Sequence, residues 1–252
     1  MVAFFKKLGK EKPQDLWQQY LNKHDKPSDE ALIKNAKIVA PLVIEQATAL
    51  IKGLFSLCQQ LDMQIDDSTY ETLFLETVVF ILFVIDRTTY DLLLSEDFDN
   101  MLQFITTELV EKAISPTRSK GEVSVLVNGE PVADAKEAAG KLAKLWYEKR
   151  VAKRNVFIDT LLSEVFQRVS NVCKYEKDAI GSFYNTRIVE YSKYEKILPE
   201  EDESPRGTLL WEFGEKIAAL SGNPLDIAVV FYVQQTVALF LVNLPLRKLM
   251  HK

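Results

Sequence analysis

Histidine is nearly absent from this chain, which has only His24 and His251, both near its ends, among 252 residues. Histidine is the commonest metal ligand in proteins and a frequent general acid–base residue, so its scarcity removes most of the usual constellations of both kinds. The sequence also lacks the glycine-rich phosphate loops and the serine elbow of nucleotide-binding proteins and many hydrolases. We therefore expect no metal and no cofactor, and the sequence favours a protein that is not an enzyme.

Glycine, proline and cysteine are also scarce. Nine glycines and nine prolines are too few for an all-β chain of this length, which needs turn residues at intervals of about 8–12. The two cysteines, Cys58 and Cys173, have no metal or redox spacing, and we expect both to be small core residues in a reducing compartment. The first residues are positively charged, but no apolar signal region follows them. These features predict a cytoplasmic protein.

Apolar residues are abundant, at 47% of the chain, and two apolar runs dominate the sequence. Leu73–Ile85 has only two polar side chains, one of them Glu76, which is too few for a surface helix with a polar face. Leu225–Leu244 is almost as apolar. We predict that both runs form central buried helices, with Phe80 and Leu239 in the core.

Helical periodicity covers most of the remaining chain, which predicts an all-α fold of about eight helices in one domain, residues 1–252. The predicted helices lie at 14–23, 29–61, 69–94, 95–114, 134–175, 179–197, 209–220 and 225–244. Pro41 predicts a kink or break in the second of them. Alternation around Asn128-Gly129 predicts a small β-hairpin or loop near 122–133. An alternative is two helical halves, 13–114 and 134–252, joined by that segment.

A first candidate site lies on the central helix. Four residues at spacings of i, i+4, i+7 and i+11 share one helix face. They are Glu76, Phe80, Phe83 and Arg87. This pattern would suit a pocket for an apolar or amphiphilic ligand, with an acid at one end and a cation at the other. The sequence favours the alternative, in which Glu76 forms a structural ion pair with a neighbouring helix, such as the long helix that begins near Asp134.

A second candidate site is a face of alternating tyrosine and arginine. Tyr184, Arg187, Tyr191 and Tyr194 fall on one side of a predicted helix. Phenols beside a guanidinium are typical of interaction surfaces. Tyrosines at this spacing are more often half-buried, with only their hydroxyl groups at the surface.

Charge and hydropathy bear on the remaining partner classes. The net charge of −5 and the scattered basic residues of 141–154 disfavour nucleic acid, because those residues alternate with apolar ones around the helix. Leu225–Leu246 is long enough to span a bilayer, but Asp226 and several amide side chains within it favour a soluble helix. We expect that the chain does not span a membrane.

Taken together, these patterns favour a non-catalytic interaction or scaffold protein that binds a protein partner or self-associates. Two alternatives stay open at this point. One is a protein that binds a small apolar or amphiphilic ligand between the central helices, and the other is a helical protein associated with nucleic acid.

Overall fold

A computed structural model describes residues 15–61, 65–114, 125–132, 135–222 and 226–250. The predicted all-α fold with a small hairpin is confirmed. The helices are α1 Leu16–His24, α2 Asp29–Gln60, α3 Asp67–Ile114, α4 Ala135–Val172, α5 Lys177–Tyr191, α6 Leu209–Leu220, α7 Ile227–Asn243 and the single-turn α8 Leu246–Met250. The strands are β1 Val125–Val127 and β2 Glu130–Val132.

Seven of the helices described have nine residues or more, against eight predicted, because the predicted helices 69–94 and 95–114 are one. Ser95-Glu96-Asp97 resembles a helix start, yet α3 continues through it for 48 residues in all. No glycine or proline occurs in α3, so no residue forces the backbone out of the helix there. The predicted break at Pro41 is also absent, since α2 runs through that residue to Gln60.

The fifth helix ends earlier than predicted, at Tyr191 rather than near Ile197. Carbonyl groups after it accept hydrogen bonds from elsewhere in the chain. Arg87 donates to the carbonyl oxygens of Tyr194 and Glu195, and the first residues of α6 donate to those of Lys196 and Ile197. These bonds replace the helical ones, so the chain can turn here without leaving its carbonyl groups unpaired.

The chain divides into two compact units, each formed by segments distant in sequence. Unit 1 consists of the described residues within 15–28 and 90–155, and unit 2 of those within 29–89 and 156–250. The long helices α3 and α4 each contribute residues to both units. The prediction of one domain stays a prediction.

Unit 1 contains the predicted hairpin, in which β1 and β2 pair antiparallel. Asn128 and Gly129 form its turn with positive φ angles of 55° and 78°, as a two-residue hairpin of this kind requires. The Asp15 carboxylate accepts hydrogen bonds from the backbone N–H groups of both turn residues and also caps α1. Val127 and Val132 are buried in a core with residues of α1, α3 and α4. The hairpin is therefore held in place by α1 and by apolar packing.

Unit 2 contains both apolar runs, and they differ in burial. Every residue from Leu73 to Ile85 is buried, so the predicted central helix is confirmed. The prediction that the Leu225–Leu244 helix is also central is wrong, because one side of α7 is exposed and Leu239 lies on it. Cys58 and Cys173 are both buried and unbridged, consistent with the expectation that they are core residues.

One side of α7 is packed closely in unit 2. Val229, Val233 and other valines on this side are buried. A Cβ atom placed on Gly214 of α6 would lie 3.1 Å from the carbonyl oxygen of Val230, so glycine permits α6 and α7 to approach this closely. Tyr232 donates a hydrogen bond to the Leu50 carbonyl of α2 at 3.2 Å. On the other side, Phe231 contacts the Trp211 ring of α6 edge-on, with centroids 6.0 Å apart. Within the described residues, Ile227, Leu239 and Val242 on that side are at least half exposed.

Candidate functional site

Glu76, the acid of the central helix, is surrounded by cationic and hydrogen-bonding groups in unit 2. Its side chain is 1% exposed. The Arg187 guanidinium of α5 donates to both carboxylate oxygens, with Nε at 2.9 and 3.1 Å. Lys216 Nζ of α6 lies 3.3 Å from Oε2, and the Tyr191 hydroxyl donates to the same oxygen at 3.1 Å. Glu76 therefore forms the structural ion pair that the sequence favours, although its partners lie on α5 and α6 rather than on α4.

A second carboxylate completes this group, which we call the Glu76 cluster: Glu76, Arg187, Glu190, Tyr191 and Lys216. Glu190 accepts from Arg187 Nη1 at 2.8 Å and from Lys216 Nζ at 3.1 and 3.2 Å. Two anions and two cations give the cluster no net formal charge. Buried charges are tolerated when they are paired and hydrogen-bonded in this way.

The surroundings of the cluster shift the pKa values of several members. Burial raises the pKa of Glu190, but the hydrogen bond from Lys216 and the charges of Lys216 and Arg187 outweigh it and hold this pKa below its usual range. Burial and the charge of Glu76 raise the pKa of the Tyr191 hydroxyl. Glu190 is therefore ionised and Tyr191 neutral at physiological pH, which is the protonation state that the hydrogen bonds require.

The two predicted candidate sites contact each other where α3 packs against α5 and α6. Phe80 stacks on Phe213 of α6, with ring centroids 3.7 Å apart and 8° between the planes. The rings of Phe80 and Phe83 also lie 5.4 and 5.6 Å from that of Tyr191. Glu76, Phe80 and Phe83 thus pack against the predicted tyrosine–arginine face, whereas Arg87 binds the backbone after α5. A ligand-binding role for these residues stays a prediction.

The predicted interaction surface is only partly accessible. Tyr184 and Tyr191 are buried, and Arg187 is held by the Glu76 cluster. Tyr194 is half-buried, and its hydroxyl donates to Glu212 at 3.4 Å. Any surface formed by these four residues would have to use the exposed parts of Arg187 and Tyr194.

Sequence reasoning missed Glu190 and Lys216. A usable signal existed for the pairing of Glu76, because a buried acid requires a cation and Arg187 lies among tyrosines on an otherwise half-buried helix. No comparable signal identifies Lys216, since a single lysine in a short helix is ordinary on a surface. Its role depends on how α6 packs against α3.

The basic residues near the start of α4 are engaged in contacts within unit 1. Lys141 pairs with Glu130 and Glu137, at 3.3 Å each, and Lys149 and Lys153 pair with Asp25 at 3.3 and 2.6 Å. The buried Lys153 ammonium also donates to the Pro27 carbonyl at 2.6 Å, and Arg150 donates to the carbonyls of His24 and Lys26. These cations fix the segment between α1 and α2 and offset local acids, which argues against a phosphate-binding surface.

Two other features of the described chain carry little chemistry. A cavity of about 180 Å³ in unit 1 is lined mainly by polar side chains of α1 and α3, and the Lys23 ammonium lies 5.6 Å from the Phe104 ring beside it. Within the residues described, no group of three or more histidine, cysteine, aspartate or glutamate side chains could hold a metal ion.

The exposed side of α7 is the main feature that the fold leaves unexplained. Ile227, Phe231, Leu239 and Val242 are 50, 47, 63 and 81% exposed, and Gln235 is exposed between them. Their spacing of four, four, four and three residues places all five on one side of the helix. We call this the α7 face. No charged residue occurs anywhere in α7, whereas exposed helix faces ordinarily carry charges.

Length and composition alone would allow three segments to cross a membrane. They are Leu16–Gln60, Asp67–Leu92 and Ile227–Met250, and their most apolar windows are 39, 72 and 28% buried within the protein. Protein packing thus accounts for most of the apolar character of the second segment. It accounts for far less in the third, which contains the α7 face.

Comparison with protein-family models, curated proteins and solved structures gave no match to this chain. Function must therefore be argued from the geometry of the chain itself.

Proposed function

We propose that the protein is a non-catalytic interaction protein and that the α7 face is its binding surface. The observation that carries the proposal is that a helix of 17 residues with no charged side chain exposes one side along its length. The largest apolar patch on a typical monomeric soluble protein covers a few hundred Å², and such a patch is often a functional interaction site. Covering the α7 face would remove that apolar surface from water.

In this proposal the Glu76 cluster has a structural role. The Glu76 carboxylate is buried and bound by three donor groups, so it has little capacity left to accept a proton from a substrate or to bind one. The cluster links α3 to α5 and α6 and fixes how these helices pack. That packing positions α6, against which the buried side of α7 lies.

The alternative of a small apolar ligand between the central helices has less support. The Phe213 ring lies directly on Phe80, at the place where the sequence suggested a pocket wall. Arg87, the suggested cationic end of that pocket, instead donates to backbone carbonyl groups. A ligand there would have to displace an aromatic stack and the ion pairs of the buried Glu76 carboxylate.

The test is affinity purification of tagged protein from cells that also express an untagged copy. Three forms are compared: wild type, a variant with Leu239→Lys and Val242→Lys, and a control with Val172→Lys and Val189→Lys. The control valines are 69 and 66% exposed on other helices, so both variants add two lysines at exposed apolar positions. Circular dichroism confirms that each variant is folded.

The proposal predicts that wild type and control recover the same proteins, the untagged copy included where it binds, and that the α7 variant loses them. An identical set of recovered proteins from all three forms would contradict it, because the α7 face would then not be the surface that binds.

A further inference from the structure

The identity of the partner can be argued from the α7 face, given the proposed function on which this step rests. We propose that the occupant of the α7 face is a second copy of this chain, bound antiparallel across a two-fold axis near Gln235. Three properties of the face support this assignment: its symmetry about Gln235, the charges at its ends, and the amide at its centre.

The face is symmetric in its arrangement of side chains. Gln235 is the ninth of the 17 residues of α7, and it lies at the middle of the exposed side. Phe231 and Leu239 lie four residues before and after it, and the outer members of the face, Ile227 and Val242, lie eight residues before and seven after. In an antiparallel pair, Phe231 of one copy would lie close to Leu239 of the other. A two-fold interface requires such a self-complementary surface.

The charges at the two ends select the antiparallel orientation. Asp226 precedes α7, while Arg247 and Lys248 are exposed just beyond its other end. An antiparallel pair brings the acidic end of one copy towards the basic end of the other, and it opposes the two helix dipoles favourably. A parallel pair would place like charges together at both ends, which is unfavourable.

Gln235 at the centre of the face favours a protein partner over a bilayer. A glutamine amide both donates and accepts hydrogen bonds, so two copies related by a two-fold axis can satisfy each other there. Burying the same amide among lipid chains would leave it without partners. Helices that lie in a membrane surface also usually carry lysine and arginine along their polar side, whereas α7 has neither.

The size of the face indicates a weak dimer. A helix of 17 residues is about 25 Å long and about 10–12 Å wide, so its footprint is roughly 250–300 Å². Stable interfaces bury about 800 Å² on each partner. We therefore expect a dimer that dissociates on dilution rather than a permanent one.

The first experiment is sedimentation velocity on the full chain from about 1 to about 500 µM, a range that covers weak dimers. The mean mass of wild type should rise from 28.8 kDa towards twice that value. Leu239→Lys and Phe231→Glu should each stay monomeric, and the control Val189→Lys should behave as wild type. A wild type that is monomeric throughout, or a dimer that survives Leu239→Lys, would overturn the proposal.

Mixing the Phe231→Glu protein with the Leu239→Lys protein tests whether the two copies bind antiparallel. In the antiparallel pair, the carboxylate introduced by Phe231→Glu in one copy faces the region of the ammonium introduced by Leu239→Lys in the other. An equal mixture of the two variants should therefore form heterodimers, although neither variant dimerises alone. A mixture that stays monomeric while wild type dimerises would overturn the antiparallel arrangement.

A bilayer is the competing occupant, and it is tested with vesicles of phosphatidylcholine and phosphatidylglycerol. We expect wild type to remain in solution when the vesicles are floated. A monomeric wild type that floats with them, and fails to do so as Leu239→Lys, would overturn the second-copy assignment while leaving the α7 face as the binding surface. Both proposals fail if Leu239→Lys changes neither self-association nor flotation and the double variant, Leu239→Lys with Val242→Lys, recovers the same proteins as wild type.

Discussion

Two helices of this chain are apolar almost throughout, and their environments are opposite. The Leu73–Ile85 part of α3 contains a charged residue and is buried on all sides, whereas α7 contains none and is exposed along one side. The charge on α3 is matched by Arg187 and Lys216 from neighbouring helices. For α7, the described part of the chain buries the valine side and leaves Leu239 and Val242 largely exposed. A helix's apolar content therefore does not determine whether its own chain buries it.

The largest expected effect on stability is that of a substitution in the buried helix, α3. Phe80→Ala removes a fully buried ring that stacks on Phe213, so it should lower the free energy of unfolding by about 3–5 kcal/mol. Chemical denaturation measures this value. Phe231→Ala on the α7 face is the matched control and should lower it less in dilute protein, because the Phe231 ring is 47% exposed and contacts Trp211 at one edge. Equal losses for the two changes would remove the distinction between the helices.

Glu76→Gln sharpens the comparison by testing the charge within α3. The change keeps the size of the side chain but removes the anion that Arg187 and Lys216 share, and we expect a loss of about 1.5–3 kcal/mol at neutral pH. The exposed Glu45 on α2 is the control, and Glu45→Gln should change stability by less than about 0.5 kcal/mol. A Glu76→Gln protein as stable as wild type would instead indicate a site that trades stability for function.

Gly214→Ala tests the buried side of α7. The added methyl group would lie within 3.0–3.1 Å of Val230, so the variant should lose about 1–3 kcal/mol through overpacking between α6 and α7. Gly140 is the control, because a Cβ there meets no atom within 4 Å, and Gly140→Ala should stabilise α4 by about 0.5–1 kcal/mol. If both changes stabilise, α6 and α7 are not packed as closely as described.

The smallest expected effect is on the exposed side of α7. Leu239→Ala should change the free energy of unfolding of dilute protein by less than about 0.5 kcal/mol, because the side chain is largely exposed. The same change at the buried Leu82 of α3 should lower it by about 2–5 kcal/mol. A loss of that size at Leu239 would show that this residue is buried within the monomer.

Much of the fold could be predicted from periodicity and turn residues. The hairpin at Asn128-Gly129 and the burial of Leu73–Ile85 follow from local patterns alone. Local patterns do not predict that α3 is a single helix, because Ser95-Glu96-Asp97 resembles a helix cap. Only the absence of glycine and proline indicates a continuous helix. The early end of α5 depends on Arg87, a residue more than 100 positions away, whose hydrogen bonds cannot be read from the local sequence.

The candidate sites were harder to predict than the fold. Glu76 and Arg187 were both identified, but as parts of separate sites, because pairing across helices depends on tertiary packing. The apolar composition of α7 on every side predicts Leu239 in the core, but composition does not reveal which side a neighbouring helix covers. The exposed α7 face is visible only once the positions of α2 and α6 are known.

The most direct test of the account is the labelling rate of single cysteines introduced at Leu239 and, as a control, at Val189. The native Cys58 and Cys173 are buried and should react slowly with a maleimide. We predict that Leu239→Cys labels as fast as Val189→Cys in dilute protein and becomes slower as the concentration rises, while Val189→Cys does not. Slow labelling of Leu239→Cys in dilute protein, or a rate that never falls with concentration, would contradict an exposed α7 face that a second copy covers.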